Sequence, residues 1–347
     1  MNLFELTRAM VDIESVTENE KRVGDFLFGH LSEMAGRTGG KVERIAVAPG
    51  RDNVYAAWGE PTVVMSTHMD TVPPFFGSNE DEEFVWGRGS CDAKGIIAAM
   101  ILAAEKLLAA GTRNFGLLFV VGEERNSAGA KAAAQSALAG RTKFLINGEP
   151  TENRVALGSK GALRFEITAR GKLAHSAYPE LGHSAIHELL DVLGDVRKVA
   201  LPKDRVLGPA TLNVGTIAGG RAPNVVADEA RAEIMFRTVG DPASLREGVT
   251  RALAGRAGTE AHEVLHTPAL TLGAFEDLPQ TTVAFTTDIP ALMGAWGEPF
   301  LIGPGTIHLA HTADERVPKK ELTEAVEIYA RMTTSLLEKA KGEVKKQ

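Results

Sequence analysis

The residues of this chain best equipped for chemistry stand at the ends of apolar runs. The stretch VVMSTHMDTVPP, 63–74, is an apolar, β-branched run that reads as a buried strand closing on His68 and Asp70. FGLLFVVGEE, 115–124, closes on Glu123 and Glu124, and KFLINGEPT, 143–151, carries Glu149 just beyond its apolar part. Asp92 opens the apolar helix DAKGIIAAMILAAEKLLAAG, and His311 lies in TIHLAHTADE. A single histidine after a strand is more often a satisfied polar residue than a metal ligand. Carboxylates beside a core are costly unless something cationic compensates them, so three buried strands ending this way imply a site. The crevice outside the carboxyl ends of a parallel sheet is where such a site would lie.

His68, Asp92, Glu124, Glu149 and His311 make a set of two imidazoles and three carboxylates. Nitrogen and oxygen donors without cysteine suit zinc, and equally cobalt or manganese. Three carboxylates exceed what one catalytic zinc takes, whereas two ions about 3.5–4 Å apart, sharing one carboxylate, use the whole set. Asp70, two residues from His68 on the same side of an extended segment, is placed to take the second imidazole N–H. Adjacent residues on a strand point to opposite sides, so Glu123 and Glu124 are expected to differ in role. Glu123 is then the acid left free to accept a proton from water.

Positioning these groups requires an α/β framework. Apolar spacing predicts amphipathic helices over 3–12 and 19–35, strands over VERIAVA and NVYAAWG joined at PGRDN, and a loop with a short hairpin over 73–89. Asp92 is expected near the N-cap of the apolar helix that Gly111 ends, and SAGAKAAAQSALAG reads as a small-residue helix. From about 160 to 268 the order is strand-helix-strand-strand-helix-strand, the split βαβ or ferredoxin-like module. The first pattern then resumes and finishes on an amphipathic helix beginning KKELTEAVEIYA. The expected architecture is a central mixed, mostly parallel sheet flanked by helices, built from 1–159 and 269–347, with an α+β domain inserted over 160–268.

Bulk properties narrow the classes of function. With 347 residues the chain can bury a full core without disulfides, and its one cysteine, Cys91, fits a reducing cytoplasm. A net charge of −7, with only the tail KGEVKKQ basic, argues against a nucleic-acid surface. No run approaches the roughly 20 apolar residues that span a bilayer, and the first 20 residues lack a signal-peptide pattern. His30 reads as surface or packing. His183 and His187 read as surface positions on one helix, and His262 and His266 as strand residues.

The runs STHMDTVP, GRGSCDAKG, VVGEERNSAG, NGEPT and AHTADE resemble, in order and spacing, the motifs of the acetylornithine deacetylase, succinyl-diaminopimelate desuccinylase, aminoacylase and glutamate carboxypeptidase family of dinuclear zinc hydrolases. The resemblance covers nearly the whole chain. It implies a zinc-exopeptidase-like catalytic domain holding two zinc ions bridged by Asp92, with His68 and Glu149 on one ion and Glu124 and His311 on the other. It also implies Glu123 as general base and Asp70 as the partner of His68. The Ala-His pair before acids aligns with Ala310-His311, leaving His308 aside. Glutamate at 149 resembles the desuccinylase and deacetylase branch.

The same resemblance makes the inserted domain a lid through which two copies dimerise. His175, in GKLAHSAYPELG, becomes the donor to the reaction's oxyanion. Lys160, Asn224 and Arg237 match positions that contact substrate, with Arg237 suited to grip a carboxylate in two-pronged fashion. Met235 and TTDIP, 286–290, depart from the family pattern. The expected reaction is metal-assisted hydrolysis of the amide of a small N-acyl amino acid in the cytoplasm, with a dipeptidase or aminopeptidase, or a non-catalytic zinc binder, as the alternatives.

Overall fold

The computed structural model describes residues 1–344; the last three residues of the basic tail, 345–347, lie outside the described residues. The chain divides into two compact units. Unit 1 comprises Met1–Leu157, Leu272–Thr281 and Thr287–Gln347, and unit 2 comprises Gly158–Thr271 and Thr282–Thr286.

Unit 1 begins with helix α1 (Leu3–Val11), whose first turn is closed by a capping box between Asn2 and Glu5. Helix α2 (Lys21–Thr38) ends where Gly39 turns left-handed. Strands β1 (Lys41–Ala48), β2 (Arg51–Trp58) and β3 (Val63–His68) follow, then the hairpin β4 (Asn79–Glu80) and β5 (Phe84–Trp86). Helix α3 (Lys94–Ala109), β6 (Phe115–Val120), α4 (Ala128–Gln135), β7 (Phe144–Asn147) and β8 (Val155–Ser159) complete the first passage.

Unit 2 contains β9 (Gly161–Arg170), α5 (Ala185–Val196), β10 (Lys203–Asp204), β11 (Gly208–Pro209), β12 (Thr211–Gly219), β13 (Glu229–Thr238), α6 (Ala243–Leu253), β14 (Thr259–Thr267) and β15 (Leu270–Thr271). The chain returns through β16 (Gln280–Val283), α7 (Ile289–Leu292), β17 (Glu298–Leu301), β18 (Arg316–Pro318) and α8 (Lys319–Val344). No helix among the described residues is long and apolar enough to cross a membrane.

The six-stranded sheet of unit 1 has the order β1-β2-β6-β3-β7-β17. β3 runs parallel to both β6 and β7, and β17 runs parallel to β7, while β2 is antiparallel to its neighbours. Side chains alternate between two buried faces. Val63, Met65, Phe115, Leu117, Phe119 and Ile146 pack with α1, α2, α3 and α8, whereas Val64, Leu118, Val120 and Leu145 pack with α4 and α7. This two-sided cover is why the strands read as unbroken apolar runs. Each fully buried leucine or phenylalanine contributes about 1.5–3 kcal/mol. α3 lies close enough to the sheet end that a Cβ on Gly148 would stand 2.4 Å from Ile96 Cγ2, so only glycine fits between β7 and Glu149.

Unit 2 shows a β-α-β-β-α-β order with antiparallel sheet order β12-β13-β9-β14. Leu163, Phe165 and Ile167 of β9 and Ile234 and Phe236 of β13 form its core with α5 and α6. One expectation changes here: His183 lies before α5, whose N-cap is Ser184, so His183 and His187 are not one helical pair. Asp92 is near the N-cap of α3 as expected, one residue before the N-cap Ala93, with its side chain turned to His68.

Candidate metal centre

Because β6, β3 and β7 are parallel neighbours, the residues that follow them emerge along one edge of the sheet. His68 is the last residue of β3, Glu123 and Glu124 follow β6, and Glu149 follows β7. His311 arrives on the loop after β17, in a left-handed backbone conformation (φ 65°) that is costly for a residue other than glycine. Asp92 precedes α3 and is buried.

The carboxylate of Asp92 faces two imidazoles with different oxygens. Its Oδ1 is 2.9 Å from His68 Nε2, and its Oδ2 is 3.3 Å from His311 Nε2. His311 Nε2 also lies 2.9 Å from Glu124 Oε1. Donor atoms of His68, Asp92 and Glu124 all fall within 4.8 Å of one another. Glu149 is buried, and its Oε1 has no hydrogen-bond partner. A buried carboxylate oxygen left unpaired beside a nitrogen and oxygen donor cluster is the condition a divalent cation relieves, so the residues present fit a bound metal.

The electrostatics follow from this crowding. Burial lifts the Glu149 carboxyl well above the usual range, and the Asp92 charge adds to that. Burial likewise raises Glu123, with Glu149 as the next cause. Asp92 is held below the ordinary range because the two imidazoles outweigh its desolvation. His311 is pushed up to about 10 by Asp92 and Glu124. Burial alone would lower His68, but the Asp70 and Asp92 carboxylates outweigh it and raise it.

Asp70 does more than its spacing suggested. The nearer acceptor for His68 Nδ1 is the backbone carbonyl of Asp70, at 3.0 Å, with the carboxylate 3.7 Å away. That carboxylate accepts from the Thr17 hydroxyl at 2.8 Å and from the backbone N–H groups of Glu123 and Glu124 at 3.1 and 3.3 Å. Glu123 and Glu124 sit in a turn past the end of β6, so strand alternation does not separate them. Asp70 holds the turn that presents both.

The remaining candidates lie in unit 2. His175 is exposed, its Nδ1 accepts from Ala177 N at 3.1 Å, and its backbone bridges Val225. Ser176 N donates to Asn224 O, which brings the His175 and Asn224 segments side by side. Lys160 Nζ donates to the carbonyl of Pro209 at 2.6 Å. Arg237 is partly buried on β13, opposite Ala162, and desolvation alone lowers its guanidinium from the ordinary value. Among the described residues it makes no ion pair, so a salt bridge within unit 2 does not account for it.

His308 is exposed and takes no part in the cluster, and His30 stacks on Phe26. Three buried groups escaped the reading of the sequence. Arg88 and Glu315 form an ion pair, and Asp288, from the TTDIP stretch, has neither carboxylate oxygen hydrogen-bonded. The first two stand inside GRGSCDAKG and AHTADE, so their motifs were visible although their pairing was not.

A mixed α/β sheet whose carboxyl edge gathers two imidazoles and three carboxylates belongs to the class of metal-dependent hydrolases. The chain is a member of peptidase family M20/M25/M40, whose model matches residues 64–335. It is 40% identical over 341 residues to a peptidase M20 domain-containing protein of Schizosaccharomyces pombe, covering 95% of this chain and 84% of that one. It is 35% identical over 390 residues to a probable carboxypeptidase of Emericella nidulans, with 96% and 89% covered. Among solved structures, an aminopeptidase of Bacillus cereus matches with a TM-score of 0.78 at 19% identity, covering 96% of this chain and 98% of that one. That likeness is one of fold.

Proposed function

We propose that this M20 hydrolase cleaves the amide bond whose nitrogen belongs to an amino acid with a free carboxylate, in a small N-acyl amino acid or a short peptide. An N-acyl amino acid deacylase of the acetylornithine or succinyl-diaminopimelate type and a carboxypeptidase break chemically the same bond. The reading therefore accommodates both the motif resemblance and the carboxypeptidase name carried by the Emericella nidulans relative. The observation that carries it is Asp92, whose two oxygens address His68 and His311 separately, as a carboxylate shared by two ions must.

His68, Asp92 and Glu149 would hold one zinc, and Asp92, Glu124 and His311 the other, with cobalt or manganese as substitutes. Such a pair supplies Lewis acidity and lowers the pKa of water. Glu123, whose carboxyl is raised above the ordinary range by burial and by Glu149, would take the proton from the attacking water. It then returns that proton to the leaving amine. Asp70 orients His68 and fixes the turn carrying Glu123 and Glu124. Arg237 is the anchor for the substrate carboxylate, with Lys160 and Asn224 as further contacts, and His175 is the donor to the oxyanion.

Unit 2 would act as lid and dimerisation domain. Nine of the twelve exposed large hydrophobic residues among those described fall within it, including Leu173, Tyr178, Leu181 and Ile217. The test is a substrate panel with added zinc or cobalt, comparing N-acetylornithine, N-succinyl-diaminopimelate, other N-acyl amino acids, dipeptides and peptides with amidated C-termini. Hydrolysis confined to substrates with a free carboxylate supports the proposal. Equal turnover of amidated peptides, or dependence on a free amine, would shift it to an aminopeptidase.

A further inference from the structure

One buried carboxylate outside the donor set touches the supports of two members of that set. Glu315 is 1% exposed and Arg88 is 2% exposed, and they are paired through Arg88 Nη1 and Glu315 Oε2. The second oxygen, Oε1, accepts from three backbone amides of a single loop: Gly89 at 2.9 Å, Asp92 at 3.2 Å and Cys91 at 3.3 Å. The backbone carbonyl of Glu315 accepts from Gly87 N at 3.1 Å. Arg88 is fixed in turn: its Nε donates to Pro74 O at 3.2 Å, and its guanidinium lies 4.9 Å from the centre of the Phe76 ring. Four residues before Glu315 the chain carries His311 in its strained left-handed conformation.

A buried ion pair is a weak device for stability, because desolvation consumes most of what the attraction returns. A carboxylate that gathers successive amides of one loop fixes backbone position instead. Here the loop is 89–92, the segment that aims the Asp92 oxygens at His68 and His311.

We infer that Glu315, held by Arg88, is a positioning residue that sets the bridging carboxylate Asp92 and the ligand His311 in place before any metal arrives. This rests on the two-ion reading above. Glu315 reaches neither the donors themselves nor a substrate. It acts through the Asp92 amide and through the four-residue connection to His311. Its removal should loosen the ion on the His311 side most, since that site depends on the brace twice.

The inference is tested by titrating chelator-stripped wild type and Glu315→Gln with zinc against a chromophoric competitor, and by recording visible spectra of the cobalt-loaded proteins. The wild type should take up two ions. Glu315→Gln should bind about 10–100-fold more weakly, the scale for losing a partner that orients a ligand, and its cobalt bands should shift. Glu315→Asp, which keeps the charge, should recover part of both. A folded Glu315→Gln that binds both ions within twofold of wild type overturns the inference while leaving the two-ion reading intact; a wild type that binds no ion overturns both.

Amide exchange on the wild type supplies a test independent of whether the variants fold. The N–H groups of Gly89, Cys91 and Asp92 should be equally protected with and without zinc. Protection that rises more than tenfold only on loading would assign the ordering to the metal and refute the brace.

Discussion

Replacing Asp288 with asparagine should change how stability depends on pH. Asp288 is 1% exposed, neither of its oxygens is hydrogen-bonded, and burial raises its carboxyl from the ordinary 3.8 to about 7. The nearby Ser127 side chain pulls it down most, His68 and Lys131 pull the same way, and Asp70 pushes it up. Between about pH 4 and 7 the unfolded chain has lost this proton and the folded chain keeps it. Stability therefore falls as pH rises through that window, by about 1.4 kcal/mol per pH unit. The whole interval amounts to about 4 kcal/mol, and above pH 7 the contribution is flat.

Asparagine stays neutral throughout. The advantage of Asp288→Asn over wild type should then grow by about 3 kcal/mol between pH 5 and 7 and level off beyond. This holds even if the unpartnered amide costs about 1–3 kcal/mol at every pH, because that cost does not vary. Urea unfolding of the chelator-stripped proteins at half-unit steps measures the difference directly. A difference between the two proteins that is constant from pH 5 to 8 would refute the assignment of a buried, proton-holding Asp288. Glu123 and Glu149 are raised as well, and Asp288 contributes to both shifts, so a difference spread over a wider range than one group predicts remains within the expectation.

The other predictions concern the site and its support. Glu123→Gln should retain its zinc, measured by elemental analysis, and lose about 10²–10⁴ in kcat, the range for a general base; near-normal kcat would remove Glu123 from that role. His311→Ala should lose one of two bound ions in a cobalt titration, whereas His308→Ala, which alters an exposed side chain outside the cluster, should bind like wild type. Arg237→Ala should raise KM for substrates with a free carboxylate by about 10–100-fold with little change for their amides, since a charge-assisted pair contributes about 1.5–3 kcal/mol. Gly148→Ala should destabilise unit 1 by more than about 1 kcal/mol in urea unfolding, because the added methyl meets Ile96 and Met100 at 2.4 and 2.6 Å.

Much of the framework is legible in the sequence because both faces of the main sheet are covered. Runs such as Val63–Met65 and Phe115–Val120 must be apolar throughout, and the acids and histidine that end them stand out against that background. The unit 2 strands announce themselves by alternation, since one face of β9 packs on helices and the other does not. What periodicity cannot carry is pairing at long range. Arg88 and Glu315 are 227 residues apart, and nothing local to either distinguishes a buried pair from two surface charges. Asp288 looked like a departure from a familiar loop because its burial is a tertiary property.

Local rules misled in two places, each for a physical reason. Glu123 and Glu124 follow a turn begun at Gly122, where φ is 79°, so pleating no longer sorts them. His183 falls one residue before the N-cap Ser184, which starts the helix later than the apolar pattern alone suggests.

Unit 1 is interrupted: after Leu157 the chain leaves it and returns only at Leu272, and again at Thr287. In order of synthesis this makes His311 and Glu315 latecomers. The sheet lacks its edge strand β17 until residue 298 has been made, and the loop carrying Asp92 waits for a carboxylate made 223 positions later. The pairing of β15 with β8, Leu270 opposite Ser159 and Thr271 opposite Gly158, holds the ends of that long excursion together and spares unit 1 the entropy of closing a loose loop. The side chains of the site made early, His68, Asp92, Glu124 and Glu149, therefore stay without His311 and without the Glu315 brace until the last part of the chain is made.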